Sequence, residues 1–95
     1  MIARRTLREF WERVPDAEGA LVAWFQEATA ADWKEPSDIK LRYASASFLP
    51  GDRVVFNIKG NKYRLVVSIW YPGRAVYIRF VGTHAQYDRI NAEEI

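Results

Sequence analysis

Arg53-Val54-Val55-Phe56-Asn57-Ile58-Lys59-Gly60-Asn61-Lys62-Tyr63-Arg64-Leu65-Val66-Val67 decides how this chain folds. Two apolar runs, Val54–Phe56 and Leu65–Val67, flank Gly60-Asn61, a dipeptide whose tolerance of left-handed backbone joins antiparallel strands. The stretch therefore predicts a β-hairpin. Lys59, Lys62 and Arg64 crowd its turn with no acid among them. Such a tip presents positive charge to an anion, or, on the plainer alternative, is a solvated loop. Lys62 and Arg64 share parity and are expected to project from one sheet face.

On the C-terminal side, Tyr63 to Tyr71 is β-prone throughout. Tyr63, Leu65, Val67, Ile69 and Tyr71 fall on one face, and Arg64, Val66, Ser68 and Trp70 on the other. Pro72-Gly73 is a second turn. Ala75 to Val81 follows as a strand, with Val76, Ile78 and Phe80 on one face and Ala75, Tyr77, Arg79 and Val81 on the other. Gly82-Thr83 closes it, and Thr83 is placed to cap a last helical turn over His84 to Ile90.

On the N-terminal side the period changes. Leu7, Phe10, Trp11 and Val14 recur at helical spacing and predict a helix from Arg4 to Val14. Pro15-Asp16 ends it, with Asp16 as N-cap of a second helix over about 17–30, whose stripe is Ala17, Ala20, Leu21, Trp24, Phe25 and Ala28. Ser37 or Asp38 caps a short helical turn after Pro36, reaching Tyr43. Residues 44–47 read as a link, Phe48 and Leu49 fold back onto the core, and Pro50-Gly51-Asp52 is a turn. Met1-Ile2-Ala3 is a candidate edge strand. The expected fold is α+β, with two N-terminal helices packed on a small antiparallel sheet. That sheet is a three-strand meander whose other face stays partly open.

Ninety-five residues make one domain, 1–95, and 49% hydrophobic residues are enough for a core. With no cysteine, disulfide scaffolds, thiolate zinc sites and thiol nucleophiles are excluded. No apolar run approaches the roughly 20 residues that span a bilayer, and the start lacks the apolar core of a signal peptide, so the expected location is the cytoplasm. The net charge of +2 is unevenly spread. Residues 1–50 carry seven basic and eight acidic groups, whereas Arg53 to Arg89 carry seven basic groups against Asp88 alone. A positive field spread over several elements fits a phosphate backbone. One histidine and scattered acids make a poor metal set, no phosphate-binding glycine loop is present, and no serine has nucleophile surroundings. No cofactor and no metal are expected.

In an antiparallel meander the end of the last strand returns to the start of the one before it. His84 and Tyr87, three apart on one side of a helical turn, should therefore lie near Lys62 and Arg64. Cleavage of RNA by its own 2′-hydroxyl needs a group to take that proton, a group to protonate the departing 5′-oxygen, and a cation for the extra phosphoryl charge. Histidine titrates near neutrality, arginine forks onto phosphate, lysine acts as a point charge, and aromatic rings stack on unpaired bases. A single histidine cannot do both proton transfers, so a lysine or tyrosine must share them. The plain alternatives are a surface histidine, a half-buried packing tyrosine, and solvated arginines at 64 and 79.

Arg53 to Leu65, followed by Tyr77-Ile78-Arg79-Phe80-Val81-Gly82-Thr83-His84-Ala85-Gln86-Tyr87-Asp88, resembles the HigB toxins, part of the RelE-like group of type II toxin–antitoxin systems. The resemblance covers nearly the whole chain. It implies a small sheet with two helices on it, metal-independent cleavage of mRNA often on the translating ribosome, and a HigA-like antitoxin with a helix-turn-helix domain. It also implies catalytic roles for Arg64, at the scissile phosphate, and for His84, Tyr87 and Lys62. Lys59, Asn61 and Arg79 would contact RNA. Gln86 stands where the pattern leads one to expect an acid. Two other readings compete with a nuclease: a non-catalytic RNA- or ribosome-binding module, and a remnant that chiefly binds its antitoxin.

Overall fold

The computed structural model describes residues 4–95; the edge strand expected at Met1–Ala3 lies outside them. In chain order the elements are α1 (Arg5–Arg13), a 3-10 turn (Pro15–Ala17), α2 (Glu18–Ala30), α3 (Pro36–Arg42), β1 (Ser47–Leu49), β2 (Arg53–Ile58), β3 (Tyr63–Trp70), β4 (Ala75–Thr83) and α4 (His84–Tyr87). The α+β order is as the periodicities predict. The sheet, however, has four antiparallel strands in sequence order rather than three. The extra strand is β1, which pairs Ser47 with Val55 and Leu49 with Arg53. Three residues are too few to show alternation, so this edge strand had no sequence signal. Its Phe48 does not return to the core but stays 38% exposed.

One sheet face is buried under the helices. Leu7, Phe10 and Trp11 of α1, Leu21, Trp24 and Ala28 of α2, and Ile39 of α3 join Val54, Phe56 and Ile58 of β2, Tyr63, Leu65, Val67 and Ile69 of β3, and Val76 of β4. Phe56 ties the layers together: Trp24 and Tyr43 meet it edge-on at 5.3 and 5.0 Å, and Trp33 stacks on it at 6.0 Å. Each such fully buried large side chain contributes roughly 1.5–3 kcal/mol. α3 starts at Pro36, where a missing N–H costs nothing. Asp38 works from within its first turn, accepting the N–H groups of Lys34 and Glu35 at 2.9 and 3.3 Å.

The opposite face carries a smaller cluster of Val55, Val66 and Ala92, with Leu49, Phe80, Tyr87 and Ile95 packed around it. The chain after α4 therefore runs back across the sheet. Arg53 fastens it, donating from Nε and Nη2 to the Ile95 oxygen at 3.0 and 2.6 Å.

The β3–β4 pairing corrects the face assignment of β4. Val67 pairs with Ile78 and Val66 with Phe80, so Arg79 is an extra residue in a β-bulge. Below the bulge the alternation inverts. Ile78 and Val81 both pack on the helix side, and Phe80 turns to the other face instead of following Val76 and Ile78. The strand runs two residues past Val81: Gly82 and Thr83 pair with Arg64 and Tyr63, and β4 closes at Thr83.

Candidate functional site

The hairpin turn is built from left-handed backbone at Lys59 (φ 54°) and Gly60 (φ 69°). Lys62 N–H donates to the Lys59 carbonyl at 3.3 Å and closes the turn, with Gly60-Asn61 at its centre. Lys62 belongs to the turn and β3 begins at Tyr63. The strand parity that would put Lys62 beside Arg64 therefore does not apply, and the two cations go to opposite sides.

Lys59 and Lys62 turn towards the helices, where both meet Asp16. Lys62 Nζ lies 2.6 Å from Asp16 Oδ2, and Tyr63 donates its hydroxyl to the same oxygen at 2.8 Å. Lys59 Nζ pairs with Asp16 Oδ1 and also reaches the Asp16 carbonyl at 3.3 Å. Asp16 accordingly does not cap α2, whose N-cap is Ala17 with no side-chain cap bond. The hydrogen bonds from Lys59, then Lys62, then Tyr63 hold its carboxyl well below the usual carboxylate range. The same contact raises Lys62, which stays a cation at neutral pH. Burial, with the Asp16 hydrogen bond second, pushes the Tyr63 phenol up. The anion that the basic turn meets is, in the free chain, the protein's own.

Arg64 is the exception among the three cations of the turn. It projects from β3 onto the face away from the helices and pairs with no carboxylate among the described residues. Its guanidinium carbon sits 4.9 Å from the centre of the Tyr87 ring, and Nη2 donates to Asn61 Oδ1 at 3.4 Å. Its Nε is buried with no hydrogen-bond partner. Tyr87 in turn leans on Phe80, ring centres 6.4 Å apart. The register explains the assembly. Gly82 lies opposite Arg64 across the strand pair and gives up side-chain volume there. A Cβ on Gly82 would come within 2.6 Å of both Phe80 Cζ and Gln86 Oε1.

α4 begins immediately after this pair. Thr83 accepts the Gln86 N–H at 3.1 Å, and Gln86 Oε1 accepts the Thr83 N–H at 2.9 Å, a reciprocal cap that fixes the turn. Gln86 is thereby structural. His84, first in the turn, follows the Thr83–Tyr63 pair, and its Nε2 lies 3.7 Å from Asp88 Oδ1. Among the described residues no hydrogen bond or ring contact joins His84 to Arg64, Tyr87 or Lys62. Arg79, the bulge residue, donates from Nε to Ser68 Oγ at 3.0 Å and lies 5.8 Å from the Tyr77 ring.

Of the expected site residues, then, Arg64 touches both Asn61 and Tyr87, and His84 opens the helical turn that carries Tyr87. Lys59 and Lys62 form a separate cluster one turn away, and Arg79 lies further along the same face as Arg64. Sequence reasoning missed Asp16, which the Pro15-Asp16 pair disguised as a cap, and Phe80, which the bulge moved. It also missed Gly82 as the open floor beside Arg64. The best-enclosed cleft, about 200 Å³ and lined by Trp33, Ile69, Arg74 and Val76 among others, is on the helix side and shares no residue with this cluster. Among the described residues no three His, Cys, Asp or Glu side chains gather as a metal set.

Fold and cluster together define a small α+β protein whose sheet face opposite α1–α3 holds an aromatic-backed arginine with no acid paired to it among the described residues. The family model of the HigB toxin, the RelE-like toxic component of a toxin–antitoxin system, matches residues 17–90. Over 94 residues the chain is 31% identical to the mRNA interferase toxin HigB of Escherichia coli (strain K12), covering 97% of this chain and 90% of that protein. The same identity and coverage relate it to the mRNA interferase HigB of Shigella flexneri. The chain belongs to the HigB toxin family, as its two motifs indicated. A toxin of such a system has an antitoxin as partner. Among the described residues no helix is long and apolar enough to cross a membrane.

Proposed function

We propose that residues 1–95 act as a single RelE-like domain that cleaves mRNA in the cytoplasm, on the translating ribosome, until a HigA-like helix-turn-helix antitoxin covers it. Both relatives named above are mRNA interferases. The observation that carries the proposal is Arg64. Its guanidinium is positioned by Tyr87 and Asn61 and has no acidic partner among the described residues, so its terminal N–H groups are available to a phosphodiester.

In the reaction the RNA 2′-oxygen attacks the adjacent phosphorus as the bond to the 5′-oxygen breaks. Arg64 binds the phosphate oxygens and steadies the charge that builds there. His84 and Tyr87 share the two proton transfers, Tyr87 with its hydroxyl on the ring that backs Arg64. Lys62, kept protonated by Asp16, contributes charge or a proton but not a base. Lys59, Asn61 and Arg79 hold the strand on either side.

The test is cleavage of mRNA in EDTA, with and without ribosomes, by the unmodified protein and by Arg64→Ala and His84→Ala. Cleavage that survives EDTA and is lost in both variants is expected. RNA bound but left intact in both settings would replace the nuclease with a binding module, and a requirement for magnesium would end the metal-free mechanism.

A further inference from the structure

Beyond the Arg64 cluster, the sheet face opposite α1–α3 carries two exposed aromatic rings that no step above uses. Trp70 is 59% exposed and Tyr77 46% exposed, both at the far end of the β3–β4 pair. Ser68 faces Tyr77 and Trp70 faces Ala75, so Trp70 and Tyr77 are diagonal neighbours on one face. Arg79 lies against the Tyr77 ring, is held by Ser68, and has no carboxylate partner among the described residues. The Trp70 ring lies over Gly73, so closely that a Cβ there would come within 2.5 Å of it. One side of that ring is thus seated on the turn, and the other faces out.

We propose that Trp70, Tyr77 and Arg79 form a second nucleotide subsite. An unpaired base of the bound RNA stacks on the exposed rings while Arg79 meets the backbone phosphate. This rests on the reading of the Arg64 cluster as an RNA site and extends it along the strand. Arg64, Val66, Ser68 and Trp70 stand in one row on β3, and six residue steps carry the row roughly 20 Å, room for a few nucleotides. The returning C-terminal chain covers Val55 and Val66 and ends at Arg53, so a bound strand would pass on the β4 side, where Tyr77 and Arg79 are exposed. Exposed rings interleaved with an acid-free guanidinium match single-stranded RNA, which offers a ring face and an anion at every step. A protein surface could meet the rings, but it would also have to neutralise Arg79.

The probe is a short 2′-O-methyl RNA oligomer, which lacks the attacking hydroxyl and stays intact. Trp11, Trp24 and Trp33 are 3–7% exposed, so Trp70 is the tryptophan a stacked base can reach, and its fluorescence should be quenched on binding. Trp70→Ala and Tyr77→Ala should each weaken oligomer binding by roughly tenfold, as loss of one stacked base does. The salt dependence should be unchanged, Trp70→Phe should retain most of the affinity, and Gly73→Ala, which tilts the Trp70 ring, should lose part of it. On mRNA cleaved at saturation, kcat should persist while KM rises. Wild-type affinity in Trp70→Ala and Tyr77→Ala, with mRNA cleavage intact, would overturn the subsite alone. Loss of antitoxin affinity without loss of RNA affinity would overturn it in favour of a protein-docking face. Quenching of Trp70 by the oligomer in a protein that cleaves nothing would support the subsite and defeat the nuclease reading.

Discussion

Replacing Arg64 with alanine separates function from stability more sharply than any other single change in this protein. Two opposed terms set the stability cost. The stacking of the guanidinium on Tyr87 is worth about 0.5–1 kcal/mol at a partly exposed position. Against it stands the buried, unpartnered Nε, a liability of about 1–3 kcal/mol that leaves with the side chain. The expected net change in unfolding free energy is therefore about zero, or slightly favourable. The catalytic cost is larger. Loss of a positioned donor at a developing oxyanion raises the barrier by about 2–4 kcal/mol, or roughly 30- to 1,000-fold in rate. Arg64→Lys should recover only a small part, because an ammonium lacks the fork that meets two phosphate oxygens. Thermal melts alongside single-turnover mRNA cleavage measure both quantities. A Tm collapse in Arg64→Ala, or cleavage within a few-fold of the parent, would refute the assignment of Arg64 as a functional arginine that the fold does not need.

Three further outcomes are expected. Asp16→Asn releases Lys59 and Lys62, so RNA binding at low salt should tighten and its salt dependence steepen by up to about 1.4 in log–log slope, two cations' worth for a single strand. The same substitution has a pH signature. Because the folded protein holds the Asp16 carboxyl below its ordinary value, its stabilising contribution is complete above the ordinary carboxylate range and is lost as pH falls. The melting difference between parent and Asp16→Asn should thus be flat above about pH 5 and close in strong acid; a difference that widens in acid would contradict the tie. Gly82→Ala pushes a methyl into Phe80 and Gln86, and should cost about 1–2 kcal/mol and slow cleavage by displacing Tyr87, read by melting and activity together. Ala92→Glu puts a carboxylate against Val55 and Val66 and should free the C-terminal chain to limited proteolysis, with a stability loss of about 1–3 kcal/mol.

The hairpin, the α-then-β order and the burial of Leu7, Phe10, Leu21 and Trp24 were legible because each rests on local period or turn chemistry. So was the approach of Tyr87 to Arg64, which follows from antiparallel return alone. The parts that escaped depend on long-range geometry. Nothing near Asp16 in the chain announces that its partners lie more than forty residues on. No local pattern marks Arg79 as a bulge, because Ala75 to Val81 alternates acceptably in either phase. Arg64 could be singled out by motif, but that it alone of the three turn cations escapes an acid required the fold.

That bulge also makes β4 sensitive to register in a way its composition hides. Arg79 is a phase shifter: by adding one residue to one strand, it lets Phe80 support Tyr87 while Val81 still fills the core. Were the same residues to pair with β3 without the bulge, Phe80 would turn inward and Val81 outward, and the platform would be gone from beneath Tyr87. The arginine at 64 would keep its charge and its place in the strand, yet lose the surface that aims it.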